Sequence, residues 1–227
     1  DVAIIGAGLA GGAAATLLAR HGLRVLLVDR VQDPAAYKKQ CTHSIVPAAV
    51  PVLERLGVIE ALDQAGARAA HLRLWTPAGG WLRFGLEEPG ARDHSYNIRR
   101  EKLDPILRDN AARTPGVTLA LGHTATALRR DAAGRCTGVE LDGPDGPCTV
   151  EARLVVGADG RHTKIAELAG IEAEIRPHDR GGFFAYYRNV TTAAGDDPQF
   201  WILGEDVAYS FPTDDGLTCL AVVVNER

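Results

Sequence analysis

At the start of the chain, small and hydrophobic residues occur in the order expected for two buried strands with a helix between them. Residues 1–5 form a short apolar run that breaks at Gly6, as expected for a strand covered on both faces. Alanine and leucine dominate residues 9–21, which predicts a helix, and residues 25–28 form a second apolar run that ends in Asp29. The pattern predicts a strand–turn–helix–strand unit of about 30 residues.

The middle of the chain changes periodicity several times. Hydrophobic residues have helical spacing over 47–65 and again over 100–113. Residues 71–84 alternate as strands do, and a further short strand is predicted at 95–98. This stretch therefore mixes helices with strands rather than repeating one unit.

The second half of the chain is predicted to be mostly β. Short strands are predicted at 117–121, 125–130, 138–141, 148–152 and 153–156. A helix follows over 162–169, and strands resume from residue 175 to the end, with a turn at 214–216. Neither an internal repeat nor a low-complexity linker separates these parts.

The composition is that of an ordinary globular protein. Of the 227 residues, 46% are hydrophobic and 24% are charged, which excludes a disordered, collagen-like or disulfide-scaffold chain. The formal net charge of −4 offers no basic surface to a phosphate backbone, so no nucleic acid partner is expected. The 4 cysteines lie far apart without a Cys-x-x-Cys pair, so we expect no metal site and a reducing, cytoplasmic location.

Residues 2–19 carry no charge and therefore need to be tested as a membrane segment. The stretch is rich in Gly and Ala rather than Leu and Ile, and it follows Asp1 rather than a basic region. We therefore expect neither a membrane span nor a signal peptide in this sequence.

A glycine-rich turn between the first strand and the first helix gives the clearest chemical signal. In Gly6-Ala-Gly8-Leu-Ala-Gly11, Gly6 permits the tight turn, Gly8 leaves room for a pyrophosphate, and Gly11 allows close packing of helix on strand. The N-terminus of the helix offers unpaired N–H groups and the positive end of its dipole to an anion. At the end of the second strand, Asp29 can accept hydrogen bonds from both ribose hydroxyls, each contributing about 1.5–3 kcal/mol. The sequence therefore predicts a dinucleotide site.

The motif leaves the identity of the dinucleotide open. It occurs in FAD and NAD sites alike, and glycines by themselves would also serve a plain turn. The strand before the turn, the helix after it and the acid at position 29 favour the binding site over the plain turn. The negative charge of Asp29 disfavours NADP at this place, because it would repel the 2′-phosphate.

Two further motifs resemble those of a known family. Leu154-Val-Val-Gly-Ala-Asp159-Gly160-Arg-His-Thr163 resembles the Asp-Gly fingerprint of the FAD-dependent aromatic hydroxylases, which are monooxygenases, and their relatives. Arg100-Glu-Lys-Leu103 resembles the Arg-x-x-Leu start of a helix in the same family. Glycine turn, Arg-x-x-Leu helix, β-meander and Asp-Gly strand follow one another as in the first half of that family, and the likeness covers almost the whole chain.

The resemblance implies a fold class and a domain organisation. The expected fold is α/β: a Rossmann-like FAD-binding domain with a parallel sheet and a β-meander crossover, plus part of a β-rich substrate domain. The FAD-binding domain is expected over 1–170, with 71–98 contributing to the substrate layer. Residues 171–227 are expected to form the partial substrate domain.

The resemblance also implies which residues bind FAD. The glycines would hold the pyrophosphate, Asp29 the adenosine ribose (where relatives more often carry Glu), Arg100 the ribityl-pyrophosphate portion and Asp159 the phosphate-ribose part. The strand backbone around Ala125 would lie beside the adenine. The implied cofactor-binding set is Gly6, Gly8, Gly11, Asp29, Arg30, Arg100, Ala125, Asp159 and Gly160. Taken singly, Arg100 would be a surface charge at a helix start, and Asp159-Gly160 a plain strand-to-helix turn.

The sequence departs from the family pattern in two respects. Thr163 stands where the fingerprint usually has Ser, and Ala166 where it has Arg, a charge that Lys164 could supply. A later Gly-Asp-Ala motif, whose Asp binds the flavin ribityl chain in relatives, does not occur before Arg227. We therefore expect an N-terminal fragment, in which bound flavin is absent or weak.

The implied chemistry belongs mainly to the cofactor. In this family NAD(P)H reduces FAD, and O₂ then reacts at the reduced flavin to oxygenate a substrate. The expected function is hydroxylation of a small aromatic or polycyclic molecule, with the catalytic residues, the choice of NADH or NADPH and the oligomeric state left unknown. The alternatives are an FAD-dependent reductase of the geranylgeranyl reductase type, a flavin halogenase and a non-catalytic dinucleotide-binding module.

Two groups of residues are candidates for the substrate site. His43 could shuttle a proton because imidazole titrates near neutrality, although a loop histidine with local hydrogen bonds is the simpler interpretation. Aromatic residues beyond position 180 suit a flat apolar substrate, although a sheet core explains them at least as well. These aromatic residues are Phe183, Phe184, Tyr186, Tyr187, Phe200 and Trp201.

Overall fold

The computed structural model describes residues 1–41, 44–83, 94–192 and 195–226. The chain divides into two compact units, residues 1–38 with 104–175 and residues 39–103 with 176–227. The sequence-based division placed its boundary near residue 170 and assigned only 71–98 to the substrate layer. The assignment of 1–170 to an FAD-binding domain and of 171–227 to a partial substrate domain stays a prediction.

The helices lie where the sequence predicts them, with one exception. They are α1 (Leu9–Arg20), α2 (Val50–Leu56), α3 (Ile59–Gln64), α4 (Arg100–Arg113) and α5 (Lys164–Leu168). The single helix predicted over 47–65 is wrong in its continuity, because Gly57 ends α2 with φ of 72°, a left-handed conformation that glycine adopts without strain. Within the described ranges, no helix is long and apolar enough to cross a membrane.

The strands are more numerous than the helices. They are β1 (Val2–Ile5), β2 (Val25–Asp29), β3 (Ser44–Ile45), β4 (Arg68–Ala70), β5 (Arg73–Thr76), β6 (Gly80–Arg83), β7 (Ser95–Asn97), β8 (Val117–Leu121), β9 (Thr124–Arg130), β10 (Cys136–Gly143), β11 (Gly146–Glu151), β12 (Leu154–Gly157), β13 (Arg180–Arg188), β14 (Gln199–Leu203), β15 (Asp206–Pro212) and β16 (Leu217–Asn225). The sequence did not predict β3 and β4, because two or three residues are too few to display an alternating pattern.

The first unit is built on a parallel sheet with the strand order β12-β1-β2-β8. Val2 and Ile4 of β1 belong to one buried core together with residues of α1 and β2. Ala3 and Ile5 belong to a second core, formed with β9, β10 and α5. Because both faces of β1 are covered, every position of the strand is apolar. Strands β9, β10 and β11 form an antiparallel meander, and the predicted α/β fold with parallel sheet and meander is confirmed.

The second unit contains a sheet in the order β13-β16-β15-β14-β5-β6 and a smaller one in the order β3-β7-β4. The strands of the larger sheet are antiparallel neighbours except for β14 and β5, which are parallel. Aromatic rings pack on one face of it: Phe200 stacks on Tyr209 with 5.2 Å between centroids, and Tyr209 on Phe211 with 4.7 Å. The second unit is thus rich in β-strands.

Candidate cofactor site

The turn after β1 has no space for side chains at two of its glycines. Gly6 has φ of 108°, and a Cβ atom there would lie 2.3 Å from the carbonyl oxygen of Ala158. A Cβ at Gly11 would lie 1.8 Å from the carbonyl oxygen of Gly6, far closer than van der Waals contact allows. Gly6 therefore lies directly against the residue after β12, and Gly11 lies directly against the carbonyl group of Gly6. Packing thus requires glycine at both positions.

Gly8 differs from the other two glycines of the motif because the space that a side chain would occupy there is open. A Cβ atom at Gly8 would meet nothing within 4 Å. Gly8 is also the N-cap of α1, where it offers no capping side chain, and the first turn of α1 contains no acidic residue. The helix start therefore presents N–H groups and a positive dipole end to a surface that an anionic group can approach closely.

Asp29 links the end of β2 to the glycine turn. Its Oδ2 atom accepts a hydrogen bond of 2.8 Å from the N–H of Ala7, and its Oδ1 atom one of 2.9 Å from the N–H of Val31. Each carboxylate oxygen can accept more than one hydrogen bond, so both retain acceptor capacity for ribose hydroxyls. Asp29 thus braces the turn in addition to its predicted role, while the neighbouring Arg30 is exposed.

The Asp159-Gly160 segment forms the turn between β12 and α5. The carboxylate of Asp159 accepts hydrogen bonds from the hydroxyl of Thr163 at 2.6 Å, the N–H of Lys164 at 2.6 Å and the N–H of Ile165 at 3.2 Å. Thr163 caps the helix by accepting from the N–H of Ala166, so its replacement of the usual Ser preserves the cap. The carboxylate of Asp159 serves the start of α5, and its contact with a cofactor stays a prediction.

A cavity of about 550 Å³ opens beside this turn within the first unit. Its lining is mostly apolar and includes Leu128, Val155, Ile165 and Ala169, with Asp159 at one side. Arg130 and Cys136 contribute the polar part of the wall on the meander side.

The remaining predicted residues occupy different environments. Ala125 lies in β9 opposite Leu141, and its side chain is buried in the core beneath β1 and β2. Arg100 is the first residue of α4, is only 7% exposed and belongs to the second unit. His43 lies outside the described residues. The carboxyl ends of β1, β2 and β12 bring together the glycines, Asp29 and the Asp159 turn.

Two buried charged residues of α4 were not predicted from the sequence. Asp104 and Arg108 are 4% and 7% exposed and follow Arg100 at intervals of four residues, which places all three on one face of the helix. Asp104 accepts a 3.0 Å hydrogen bond from the N–H of Lys38. Arg108 donates to the carbonyl oxygens of Pro34 and Ala36, the latter at 2.9 Å. The spacing of four was a visible signal for a polar stripe that anchors the segment after β2.

The donor set fits an adenine dinucleotide with diphosphate and unmodified ribose. Backbone N–H groups and open space at Gly8 suit the diphosphate, and the carboxylate of Asp29 suits two hydroxyl groups. Among the described residues, no group of three or more His, Cys, Asp or Glu side chains is placed to hold a metal ion.

Comparisons with known proteins agree with this chemistry. A family model described as "FAD binding domain" matches residues 1–201. Ubiquinone hydroxylase UbiL of Rhodospirillum rubrum is 32% identical over 176 residues, which cover 75% of this chain and 39% of UbiL. Digeranylgeranylglycerophospholipid reductase 1 of Methanopyrus kandleri is 32% identical over 177 residues, covering 78% of this chain and 44% of the reductase.

A solved structure extends the likeness to the fold. PqsL, a probable FAD-dependent monooxygenase from Pseudomonas aeruginosa, superposes with a TM-score of 0.83 at 23% identity, covering 99% of this chain and 60% of PqsL. The chain spans less than half the length of the two curated relatives. The family resemblance predicted from the glycine turn, the Arg-x-x-Leu helix and the Asp-Gly strand is confirmed, and the chain belongs to the FAD-binding-domain family of flavoproteins.

Proposed function

We propose that the protein is an FAD-dependent monooxygenase, which uses NAD(P)H as reductant and O₂ as co-substrate to hydroxylate a small aromatic or polycyclic molecule. The proposal rests on one observation above all: the glycine turn leaves Gly8 open to a ligand while Asp29, bonded to the same turn, presents a carboxylate beside it. FAD, when bound, would supply electron transfer from NAD(P)H to oxygen.

The residues of the first unit have binding and orienting roles in this proposal. Gly8 and the N-terminal N–H groups of α1 would hold the diphosphate, and Asp29 would hold the ribose and fix the turn through Ala7. Gly6 and Gly11 would keep the turn close to the 158–159 backbone and to α1, so that the N–H groups point at one place. Arg100, Ala125, Asp159 and Gly160 would complete the set.

The second unit supports an apolar, flat substrate. Its larger sheet carries the stacked, half-buried rings of Phe200 and Tyr209, an arrangement that packs well against another planar ring. We further propose that the protein acts in the cytoplasm.

A second candidate activity is reduction of an isoprenoid substrate, which the digeranylgeranylglycerophospholipid reductase likeness favours. Both activities need the same cofactor cradle, and they differ in whether O₂ is consumed. The deciding experiment measures NAD(P)H oxidation with a candidate substrate, in air and in an anaerobic cuvette, while oxygen uptake and products are followed.

The proposal expects substrate-stimulated oxygen uptake and a hydroxylated product. Substrate reduction without oxygen would instead support the reductase. FAD binding without turnover of any aromatic or isoprenoid substrate would support a non-catalytic dinucleotide-binding module.

The site assignment has its own test. Arg100→Ala and Asp29→Ala should each lower the flavin content of the purified protein, measured from its absorbance near 450 nm, while Asp33→Asn in the segment after β2 should not. Retention of full yellow colour in both alanine variants would contradict the roles given to these residues.

A further inference from the structure

The turn between β15 and β16 contains a carboxylate that is fully buried. The side chain of Asp214 is 0% exposed. Its Oδ1 atom accepts hydrogen bonds from the N–H of Arg99 at 2.8 Å and from the hydroxyl of Thr213 at 2.9 Å, and its Oδ2 atom accepts from Nε of Arg99 at 2.9 Å. A charge held this deeply in a protein is stable only when its partners satisfy it, and here a single arginine satisfies both of its oxygens.

The neighbouring residue aims a second carboxylate at the same cations. Asp215 has φ of 56° and ψ of 25°, a left-handed conformation that is uncommon outside glycine. Its carboxylate accepts hydrogen bonds from the guanidinium of Arg99 and, at 2.8 Å, from Nζ of Lys102. Lys102 also lies 3.2 Å from Oδ2 of Asp214. The unusual backbone conformation therefore lets two consecutive acids share two cations.

These two cations flank the predicted cofactor arginine. Arg99 precedes the first residue of α4, and its carbonyl oxygen accepts the N–H groups of Lys102 and Leu103, both at 3.0 Å. The N–H of Arg99 is held by Asp214, so the peptide groups on both sides of this residue are fixed. These hydrogen bonds therefore fix the backbone at the point where it enters Arg100.

A third segment, from the end of α3 to the start of β4, is hydrogen-bonded to the same junction. Nζ of Lys102 donates to the carbonyl oxygen of Ala65 at 2.9 Å, and Nε of Arg68 donates to the carbonyl oxygen of Thr213 at 3.2 Å. The turn at 213–216 thus joins the start of α4 to the connection between α3 and β4, all within the second unit. A junction with this many hydrogen bonds permits little movement of the helix start.

We propose that Asp214 is a positioning residue of the flavin site, which holds the first turn of α4 so that Arg100 is oriented toward the ribityl-pyrophosphate part of FAD. This inference rests on the proposed function, because the contact of Arg100 with FAD is part of it. Asp214 itself does not touch the cofactor. Its negative charge near the N-terminus of α4 also interacts favourably with the helix dipole.

A double-mutant cycle on FAD affinity tests the inference. Apoprotein is titrated with FAD for the wild type, Asp214→Asn, Arg100→Ala and the double variant. Asp214→Asn should weaken FAD binding about tenfold, and it should have no further effect once Arg100 is absent. Asp206→Asn is the matched control, because Asp206 also accepts a backbone hydrogen bond, from the N–H of Asn225, but lies at the end of β15 away from the turn at 213–216. The control should leave FAD affinity unchanged.

Amide hydrogen exchange of the apoprotein separates the inference from the proposed function. Asp214→Asn should speed exchange at Arg99, Lys102 and Leu103, whether or not FAD binds. Affinity losses that simply add in the double variant, or unchanged exchange at these amides, would overturn the positioning role. Unchanged FAD affinity in Arg100→Ala would instead overturn the role of Arg100 in the proposed function, and with it the link from Asp214 to the cofactor.

A milder variant covers the case in which Asp214→Asn does not fold. Lys102→Gln removes one of the two cations from the junction while leaving Arg99 on Asp214. It should weaken FAD binding less than Asp214→Asn, again only while Arg100 is present. An equal loss in the Arg100→Ala background would contradict the inference.

Discussion

The glycine turn at 6–11 and the turn at 213–216 treat their polar groups in opposite ways. The turn at 6–11 has almost no side chains, and it leaves N–H groups of α1 facing open space at Gly8. The turn at 213–216 buries a carboxylate and saturates it with Arg99, Lys102 and Thr213. Polar groups that are satisfied internally form scaffold, whereas polar groups left open at a defined place are available to a ligand. The contrast fits the proposal that the first turn binds a ligand, whereas the second holds the start of α4 within the second unit.

The largest effect is expected from a side chain at Gly11. In Gly11→Ala the new Cβ would lie 1.8 Å from the carbonyl oxygen of Gly6, so the turn or α1 must move. We expect a loss of unfolding free energy of about 3 kcal/mol or more, together with loss of FAD, because backbone rather than a flexible side chain must give way. Thermal denaturation and flavin content measure the two effects. Gly12→Ala is the control, since its Cβ would lie 3.4 Å from the nearest atom, the carbonyl oxygen of Leu107.

Gly8→Ala should separate binding from stability. Gly8 has φ of −78° and ψ of −167°, which alanine adopts easily, and its Cβ would meet no protein atom within 4 Å. The variant should therefore lose only the roughly 1 kcal/mol by which alanine is a poorer N-cap than glycine, yet bind FAD about 100-fold more weakly, because the methyl group occupies the approach to the N–H groups. Wild-type FAD affinity in isothermal titration would mean that the ligand does not approach at Gly8.

Asp214 should make the second unit sensitive to acid. Burial alone would raise the pKa of this carboxyl, but hydrogen bonds from Arg99, with further ones from Thr213 and Lys102, outweigh it and lower the pKa to about 2. An acid whose pKa is depressed on folding stabilises the protein above its unfolded pKa of about 4, and this contribution is lost as pH falls toward 2. Asp214→Asn should therefore lower stability at neutral pH by about 2 kcal/mol and lower it much less at pH 2.

The measurement is urea denaturation at several pH values between 2 and 7, with Asp206→Asn as control. If the difference in unfolding free energy between Asp214→Asn and wild type stays constant over this range, protonation of the Asp214 carboxylate does not affect stability.

These two turns also explain what the sequence could predict and what it could not. The glycine turn is local: strand, glycines and helix follow one another within a dozen residues, so the pattern is complete in the sequence. The acids of the second turn are visible as Asp214-Asp-Gly216, which predicts only a turn. Their partner Arg99 is 115 positions away, and nothing local indicates the pairing. The stripe of Arg100, Asp104 and Arg108 is intermediate, because its spacing of four is visible although its burial is not.

Replacing the charge at Asp29 should have a moderate effect on FAD binding. Asp29→Asn retains an oxygen that can accept from one backbone N–H, but it loses the charge that strengthens bonds to the ribose hydroxyls. We expect about tenfold weaker FAD binding, corresponding to about 1.4 kcal/mol, with little change in unfolding temperature. Asp29→Glu restores the charge and should recover most of the affinity, whereas Asp33→Asn should have no effect. Equal affinity of Asp29→Asn and wild type would leave Asp29 only its structural hydrogen bonds from the N–H groups of Ala7 and Val31.

The smallest effect concerns a thiol that reports on the second unit. Burial, with a smaller contribution from Cys41, raises the pKa of Cys219 to about 12, so the folded protein holds it as an unreactive thiol at neutral pH. Iodoacetamide should therefore modify the exposed Cys148 quickly and Cys219 only when β16 opens. If the turn at 213–216 holds this region closed, Asp214→Asn should speed alkylation of Cys219, followed by peptide mass spectrometry, and leave Cys148 unchanged. Rapid modification of Cys219 in the wild type would contradict its burial, and an unchanged rate in the variant would limit the influence of the turn to α4.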